Sequence, residues 1–259
     1  MTRASARGAA AGRRVGAVFD AVLASVEGFG ARAAALIRAA ERPGRGTVAP
    51  LREDAAALIA RHAELVSGAG FVAAPDVLAD APMWLEWWQT ADGSAAPERL
   101  VVDLDPAGPG FYDYTRHGWF TVPRDSGRAH VHGPYVDYYG TDQYILTMSV
   151  PVLDGARFLG VTGADLFVRR LEGSVLPLMP SGAVLVNAQG RIIVSTSARH
   201  ATGALLRGPA AEAVREAGAG DVDGDETGGG DGYGDGDGYG DGGRPARCGR
   251  LPFYLVTIA

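Results

Sequence analysis

Residues 130–167 read HVHGPYVDYYGTDQYILTMSVPVLDGARFLGVTGADLF. The runs HVHGPYVDYY, YILTMSVPV and FLGVTGADLFV carry apolar residues with a period of two, the signature of successive β-strands. Upstream, GFVAA (70–74), MWLEWWQ (83–89) and RLVVDL (99–104) have the same period, so they too are read as strands. FYDYTRHGWFTVPR (111–124) interrupts the series as a loop and a short helix. Downstream, LFVRRLEGSVLPLM passes from strand into helix, and SGAVLVNAQGRIIVST is a hairpin turning at Asn187–Gly190. FYLVTIA (253–259) is a last strand.

Two helices precede the strands. Val15, Phe19, Val22, Val26, Phe29, Ala33, Leu36 and Ala40 are spaced alternately four and three apart, a heptad seam over 15–40 that Arg42-Pro43-Gly44 ends. The seam allows either a helix packed on its own domain or one that also forms a homodimer. A second helix is expected over 51–66, with His62 a buried structural histidine on its apolar face. Two helices, a mainly antiparallel sheet with a helical interruption, then a hairpin and a closing strand make an α+β chain.

Composition narrows the function. The 259 residues are 47% hydrophobic and 21% charged, as in an ordinary globular protein. The lone Cys248 excludes an intramolecular disulfide framework and a multi-cysteine zinc site. A net charge of -6 argues against nucleic acid as a partner. That acidity is local: residues 218–243 hold seven Asp and one Glu, and the rest of the chain has 24 basic against 22 acidic residues. The same segment, with DGYGDG twice in tandem, has too few apolar groups to offset its ordering entropy and reads as a disordered insert; its carboxylates make calcium the rival reading. Asp20 and Glu27 interrupt the apolar N-terminal stretch, and no run is long enough to span a bilayer, so no membrane partner and a cytoplasmic location are expected.

Twelve of the 21 aromatic residues fall between Trp84 and Tyr144. Tyr and Trp join a large apolar face to a polar handle, which suits a pocket for a small amphipathic ligand as well as an aromatic core. In MWLEWWQ, Trp84, Glu86 and Trp88 share one face and Trp87 takes the other.

These residues resemble a known family. Trp119-Phe120 on a short helix, then Pro134-Tyr135-Val136-Asp137, then Thr147-Met148-Ser149-Val150-Pro151-Val152, then Gly160-Val161-Thr162-Gly163-Ala164-Asp165 follow the order of the motifs of the Cache, or PDC-type, small-molecule sensor domain. The resemblance implies a PAS-like antiparallel sheet with its pocket under the loop and helix at 111–124. It implies N-terminal helices over 13–67, a ligand-binding module over 68–175 and a reduced α+β module over 176–259. Carried over, Tyr112, Trp119, Phe120, Tyr135, Asp137 and Asp165 line the pocket, and Asp113 stands beside it. The family's amino-acid binders clamp the ligand carboxylate with an arginine two residues before the tryptophan and hold the amino group with a late aspartate. Here His117 occupies the arginine position and Arg116 lies one residue out of register, whereas Asp113, Asp137 and Asp165 supply carboxylates for an amine. The expected function is a stand-alone soluble sensor that binds an amine or amino acid, needs no cofactor and signals through a partner protein. Two other classes stay open. His130-Val131-His132, with Asp137 or His117, could hold a metal in an enzyme, although no catalytic motif is present. The heptad seam alone would suit a structural or dimerisation protein.

Overall fold

The computed structural model describes residues 3–90, 97–138, 143–219 and 245–258. The acidic insert and its repeats lie outside the described residues apart from Gly218 and Ala219, as does Tyr139. The chain divides into two compact units, Ala21–Leu171 and Met1–Asp20 with Glu172–Ala259. The helical segment expected over 13–67 is therefore not a body of its own, since α1 (Arg3–Ala39) contributes its two ends to different units.

Ala21–Leu171 holds α2 (Arg45–Val48), α3 (Leu51–Arg61), β1 (Val66–Ala73), β2 (Leu85–Gln89), β3 (Glu98–Arg99), a 3-10 turn over Tyr114–Arg116, α4 (Gly118–Ser126), β4 (His130–Val136), β5 (Tyr144–Asp154) and β6 (Arg157–Phe167). The strands form one antiparallel sheet in the order β3-β2-β1-β6-β5-β4. The back face takes α1, where the Thr162 hydroxyl donates to the Val26 carbonyl and Gly30 leaves room for it. The front face takes α4 and the loop before it.

Three elements differ from the sequence reading. The second helix stops at Arg61: residues 62–65 turn, and Val66, apolar in either register, opens the fully buried β1. His62 caps that helix half-buried, 2.9 Å from the Ser25 hydroxyl. Only Glu98 and Arg99 pair as β3; the apolar run after them is a loop with Val101 82% exposed, because Asp103 and Asp105 accept amide hydrogens two residues on and fold it into turns.

The second unit contains the N-terminal part of α1, the end of α5 (Val168–Val175), a 3-10 turn over Leu176–Leu178, β7 (Ala183–Asn187), β8 (Ile192–Ser195), α6 (Pro209–Ala219), β9 (Ala246–Arg247) and β10 (Phe253–Thr257). Its antiparallel sheet runs β8-β7-β10-β9. Val184, Val186 and Val256 pack with Ala211 and Val214 of α6, a helix the sequence reading overlooked although Pro209 and the alanine-rich run after it favour one. Phe19 of α1 meets Phe253 with ring centroids 4.2 Å apart. From Val15 to Ala33 the seam is spent inside the chain, with Val15, Phe19, Val22, Val26 and Ala33 fully buried, whereas Leu36 and Ala40 are half-buried. That part of the seam is packed within the chain.

Candidate functional site

The register of the six-stranded sheet lays two rows of residues across its front face. In one row Trp87 is opposite Gly70, Gly70 opposite Gly163, and Gly163 opposite Ser149. In the next, Gly68 is opposite Asp165, Asp165 opposite Thr147, and Thr147 opposite His132. Glycine recurs for a steric reason. A Cβ on Gly70 would stand 2.7 Å from Trp87 Cε3, one on Gly68 3.0 Å from Trp87 Nε1, and one on Gly163 3.2 Å from Trp87 Cη2. The indole therefore lies flat on the bare backbone of β1 and β6 and forms the floor of a cleft.

The cleft encloses about 350 Å3 of empty space, a figure that includes open solvent at its mouth. Val72, Leu85 and Leu100 supply its apolar base; Trp87, Tyr112, Trp119 and Tyr135 its aromatic walls; Asp137, Thr147 and Asp165 its polar groups. Tyr112 comes from the loop before α4 and Trp119 from the first turn of α4. Among the described residues that line it, none is an arginine or a lysine.

The polar groups are joined. Thr147 Oγ1 donates to Asp165 Oδ1 at 2.6 Å and lies 2.8 Å from the Tyr135 hydroxyl. A threonine hydroxyl has one hydrogen, so with that hydrogen on Asp165 the phenol is the donor to Thr147. Asp165 is 7% exposed. Burial pushes its carboxyl up to about 8, the charge of Asp137 acts in the same sense, and the hydrogen bonds from Thr147 and Trp87 oppose both. The Tyr135 phenol is also raised, first by burial and then by the charge of Asp165.

Five of the seven residues expected at the site, Tyr112, Trp119, Tyr135, Asp137 and Asp165, line this cleft. The other two do not. Asp113 accepts from the amide and hydroxyl of Thr115 and pairs with Arg116 at 3.0 Å, so its carboxylate is engaged in capping the 3-10 turn. Phe120 follows Trp119 by about 100° of helix rotation and is buried against Tyr114 and Phe158 at 5.2 and 5.5 Å instead. Trp87 and Thr147 were missed. The signals for them were the glycines at 68, 70 and 163, small enough to seat a large ring, and a polar residue in an otherwise apolar strand centre.

The histidines do not assemble a metal centre. His130 and His132 share a face with ring centroids 6.2 Å apart. Burial, and then its neighbour His132, lower the His130 imidazole to about 4. His117 stacks at 18° on Trp119 as the N-terminal cap of α4, and its imidazole is lowered chiefly by burial. Among the described residues no three His, Cys, Asp or Glu side chains are grouped to hold a metal. Cys248 is buried, with its thiol pushed up to about 12, which is the opposite of an activated nucleophile. The face shared by Trp84, Glu86 and Trp88 is sheet packing, as both indoles donate to the buried Glu86 carboxylate at 3.1 Å.

Residues 100–173 match the methyl-accepting chemotaxis protein-like, first PDC sensor domain, and the resemblance read from the motifs is borne out. The fold is also that of solved ligand-binding domains. The domain of the Pseudomonas aeruginosa PAO1 amino acid chemoreceptor PctC in complex with GABA superposes with a TM-score of 0.57 at 18% identity, covering 99% of each chain. That of the Pseudomonas fluorescens chemoreceptor CtaA with L-valine gives 0.53 at 16% identity over 78% of this chain and 77% of its own. That of the P. aeruginosa PAO1 chemoreceptor PctB with L-Arg gives 0.50 at 20% identity over 74% and 69%. A search of curated protein sequences gives no match. The family matched is one of sensor domains and not a catalytic one. Among the described residues no helix is long and apolar enough to cross a membrane.

Proposed function

We propose that the chain senses a small organic amine, taken up with its ammonium group against Asp165 and Asp137 and its carbon skeleton against Trp87, Tyr112 and Trp119. The observation that carries this reading is the charge of the cleft: two carboxylates, four aromatic rings and, among the described residues of its lining, no cationic side chain. Ring faces and a carboxylate attract an ammonium together, each ring adding about 0.5–2 kcal/mol. The structural neighbours are complexes with amino acids, which supports a small nitrogenous ligand. A free carboxylate on the ligand is disfavoured here, because Arg116, the basic residue next to the expected clamp position, has an 86% exposed side chain and pairs with Asp113.

On this reading the ligand state passes to a partner protein, and the location expected from the sequence, the cytoplasm, is part of the proposal. A homodimer through α1 would have to use its exposed face, since the seam is occupied; sedimentation velocity of the purified protein decides it. The test of the main reading is a thermal-shift screen of primary amines, amino acids and carboxylates. A ligand at 100 times its dissociation constant adds about 2.7 kcal/mol of stability. Amines are expected to raise the melting temperature and Trp119→Ala to abolish the rise. A screen in which only carboxylates or amino acids stabilise the protein refutes the amine.

A further inference from the structure

A second concavity lies at the outer edge of the six-stranded sheet, between residues 80–85 and 99–104. β3 pairs with β2 only at Glu98 and Arg99, and after the Leu100 amide donates to the Trp87 carbonyl the chain leaves the strand edge. The resulting groove holds about 700 Å3 of empty space, open solvent at its mouth included. Leu85 and Leu100 line both this groove and the cleft.

Most of the lining is apolar: Met83, Trp84, Leu100, Val102 and Leu104, with Val101 82% exposed. Leaving so many apolar groups together in water is unfavourable, and such patches mark places where something binds. Asp103 and Asp105 hold turns through the loop that carries them. Among the described residues of the lining the charged groups are Asp80 and Arg99. Asp80 is taken, since it accepts from the Arg45 amide at 2.8 Å and from the Arg45 guanidinium at 3.1 Å. Arg99 has no such partner: among the described residues no carboxylate pairs with it. Its guanidinium lies over the Trp84 ring, 4.3 Å from the centroid, and its Nη2 donates to the Leu85 carbonyl at 3.1 Å. That one bond and the stacked indole orient the planar fork and leave its other N–H groups to a further acceptor.

We propose that this groove is a second ligand site, for a small amphiphilic carboxylate whose two oxygens meet the Arg99 fork and whose aliphatic chain lies along Met83, Leu100, Val102 and Leu104. The fork matches the geometry of a carboxylate, and the apolar lining matches its chain. The groove thus has the opposite charge preference to the cleft, and it stands independently of the amine reading.

Calorimetry and amide-resolved NMR with sodium octanoate test this. Octanoate is expected to shift the amides of Val101, Val102 and Leu104 and the indole N–H of Trp84, and 1-octanol, the same chain without the charge, to bind more weakly. Arg99→Gln is expected to lower octanoate affinity about ten- to a hundredfold, and Arg99→Lys, which keeps the charge and loses the planar fork, to fall between the two. Val101→Asp, at an exposed position, is expected to weaken octanoate with no change in melting temperature. Trp119→Ala, which removes one wall of the cleft, is expected to leave octanoate binding as it was. Shifts confined to the amides of Tyr112, Tyr135 and Thr147 would place octanoate in the cleft and overturn the proposal. So would full affinity in Arg99→Gln, 1-octanol binding as tightly as octanoate, or no octanoate binding at millimolar concentration. A dimer in sedimentation that Val101→Asp dissociates also overturns it, because the groove is then covered by a second copy. None of these results touches the amine reading, since Arg99→Gln is expected to leave the thermal shift with amines intact.

Discussion

Replacing Asp165 by Asn removes the group whose environment is least compatible with charge, and its effect can be worked from the structure. The folded carboxyl is pushed from 3.8 up to about 8 by burial and by Asp137. Folded Asp165 therefore holds its proton at pH values where the unfolded carboxyl has lost it. From about pH 4 to about pH 8 the folded state binds the extra proton, so the stability of the native protein falls as pH rises, by about 1.4 kcal/mol per unit. At about pH 7 the accumulated loss is roughly 3–5 kcal/mol. Asn carries no such cost, and its single amide oxygen has two lone pairs, enough for both Thr147 and the indole of Trp87. Ligand-free Asp165→Asn is thus expected to melt higher than the native protein near neutral pH, on the order of 10 °C, with the gap closing towards about pH 4. Thermal unfolding of both proteins across this range is the assay. Parallel curves, or a variant that melts lower throughout, would mean that the carboxylate is charged and compensated in the empty cleft.

Four further substitutions test the packing. Gly163→Ala places a methyl 2.8 Å from the Met148 carbonyl and 3.2 Å from the Trp87 ring, so urea denaturation should show a loss of about 1–3 kcal/mol. Within α1, Gly28→Ala meets nothing within 4 Å and Gly16→Ala meets the Cys248 and Gly249 backbone at 2.7 Å; the first should stabilise by up to about 1 kcal/mol and the second destabilise, although helix propensity favours both. Tyr114 is fully buried, donates to the Ala73 carbonyl at 2.8 Å and accepts from the Trp84 amide at 3.3 Å. Calorimetry of Tyr114→Phe should show a cost of about 1–3 kcal/mol, since both backbone groups lose their bond.

Much of this architecture was legible because burial and periodicity coincide. The seam from Val15 to Ala33 points inward as its spacing required, and β5 and β6 pair over almost their whole length. Alternation placed Tyr135 and Asp137 on one side, and the pairing of β5 with β6 brought Asp165 to them. Alternation failed where turn chemistry competed with it, as at Asp103 and Asp105, and where an apolar residue suited two structures, as at Val66. The roles of Trp87 and Thr147 were hidden for a different reason. A glycine in a strand advertises only that something comes close; which ring comes close is fixed by the register between β1, β2 and β6, which a one-dimensional pattern does not contain.

The same register explains why the cleft discriminates by charge. Three glycines on adjacent strands leave the centre of the sheet without side chains, and the Trp87 indole closes that gap with a flat apolar surface. Water is thereby kept from the inner side of Asp165, and the donors that reach it, Thr147 and Trp87, are those the sheet itself positions. A cation in the cleft meets both ring faces and the two carboxylates of its lining, and both attract it. A zwitterion meets the same rings and acids but must also bury its own carboxylate, and among the described residues of the lining there is no guanidinium or ammonium to receive it. Pairing the zwitterion would require Arg116 to leave Asp113, which also carries the cap of the 3-10 turn before α4. Asp113 would keep its bonds from the amide and hydroxyl of Thr115, so the cost of receiving a ligand carboxylate there is the loss of the Arg116–Asp113 ion pair.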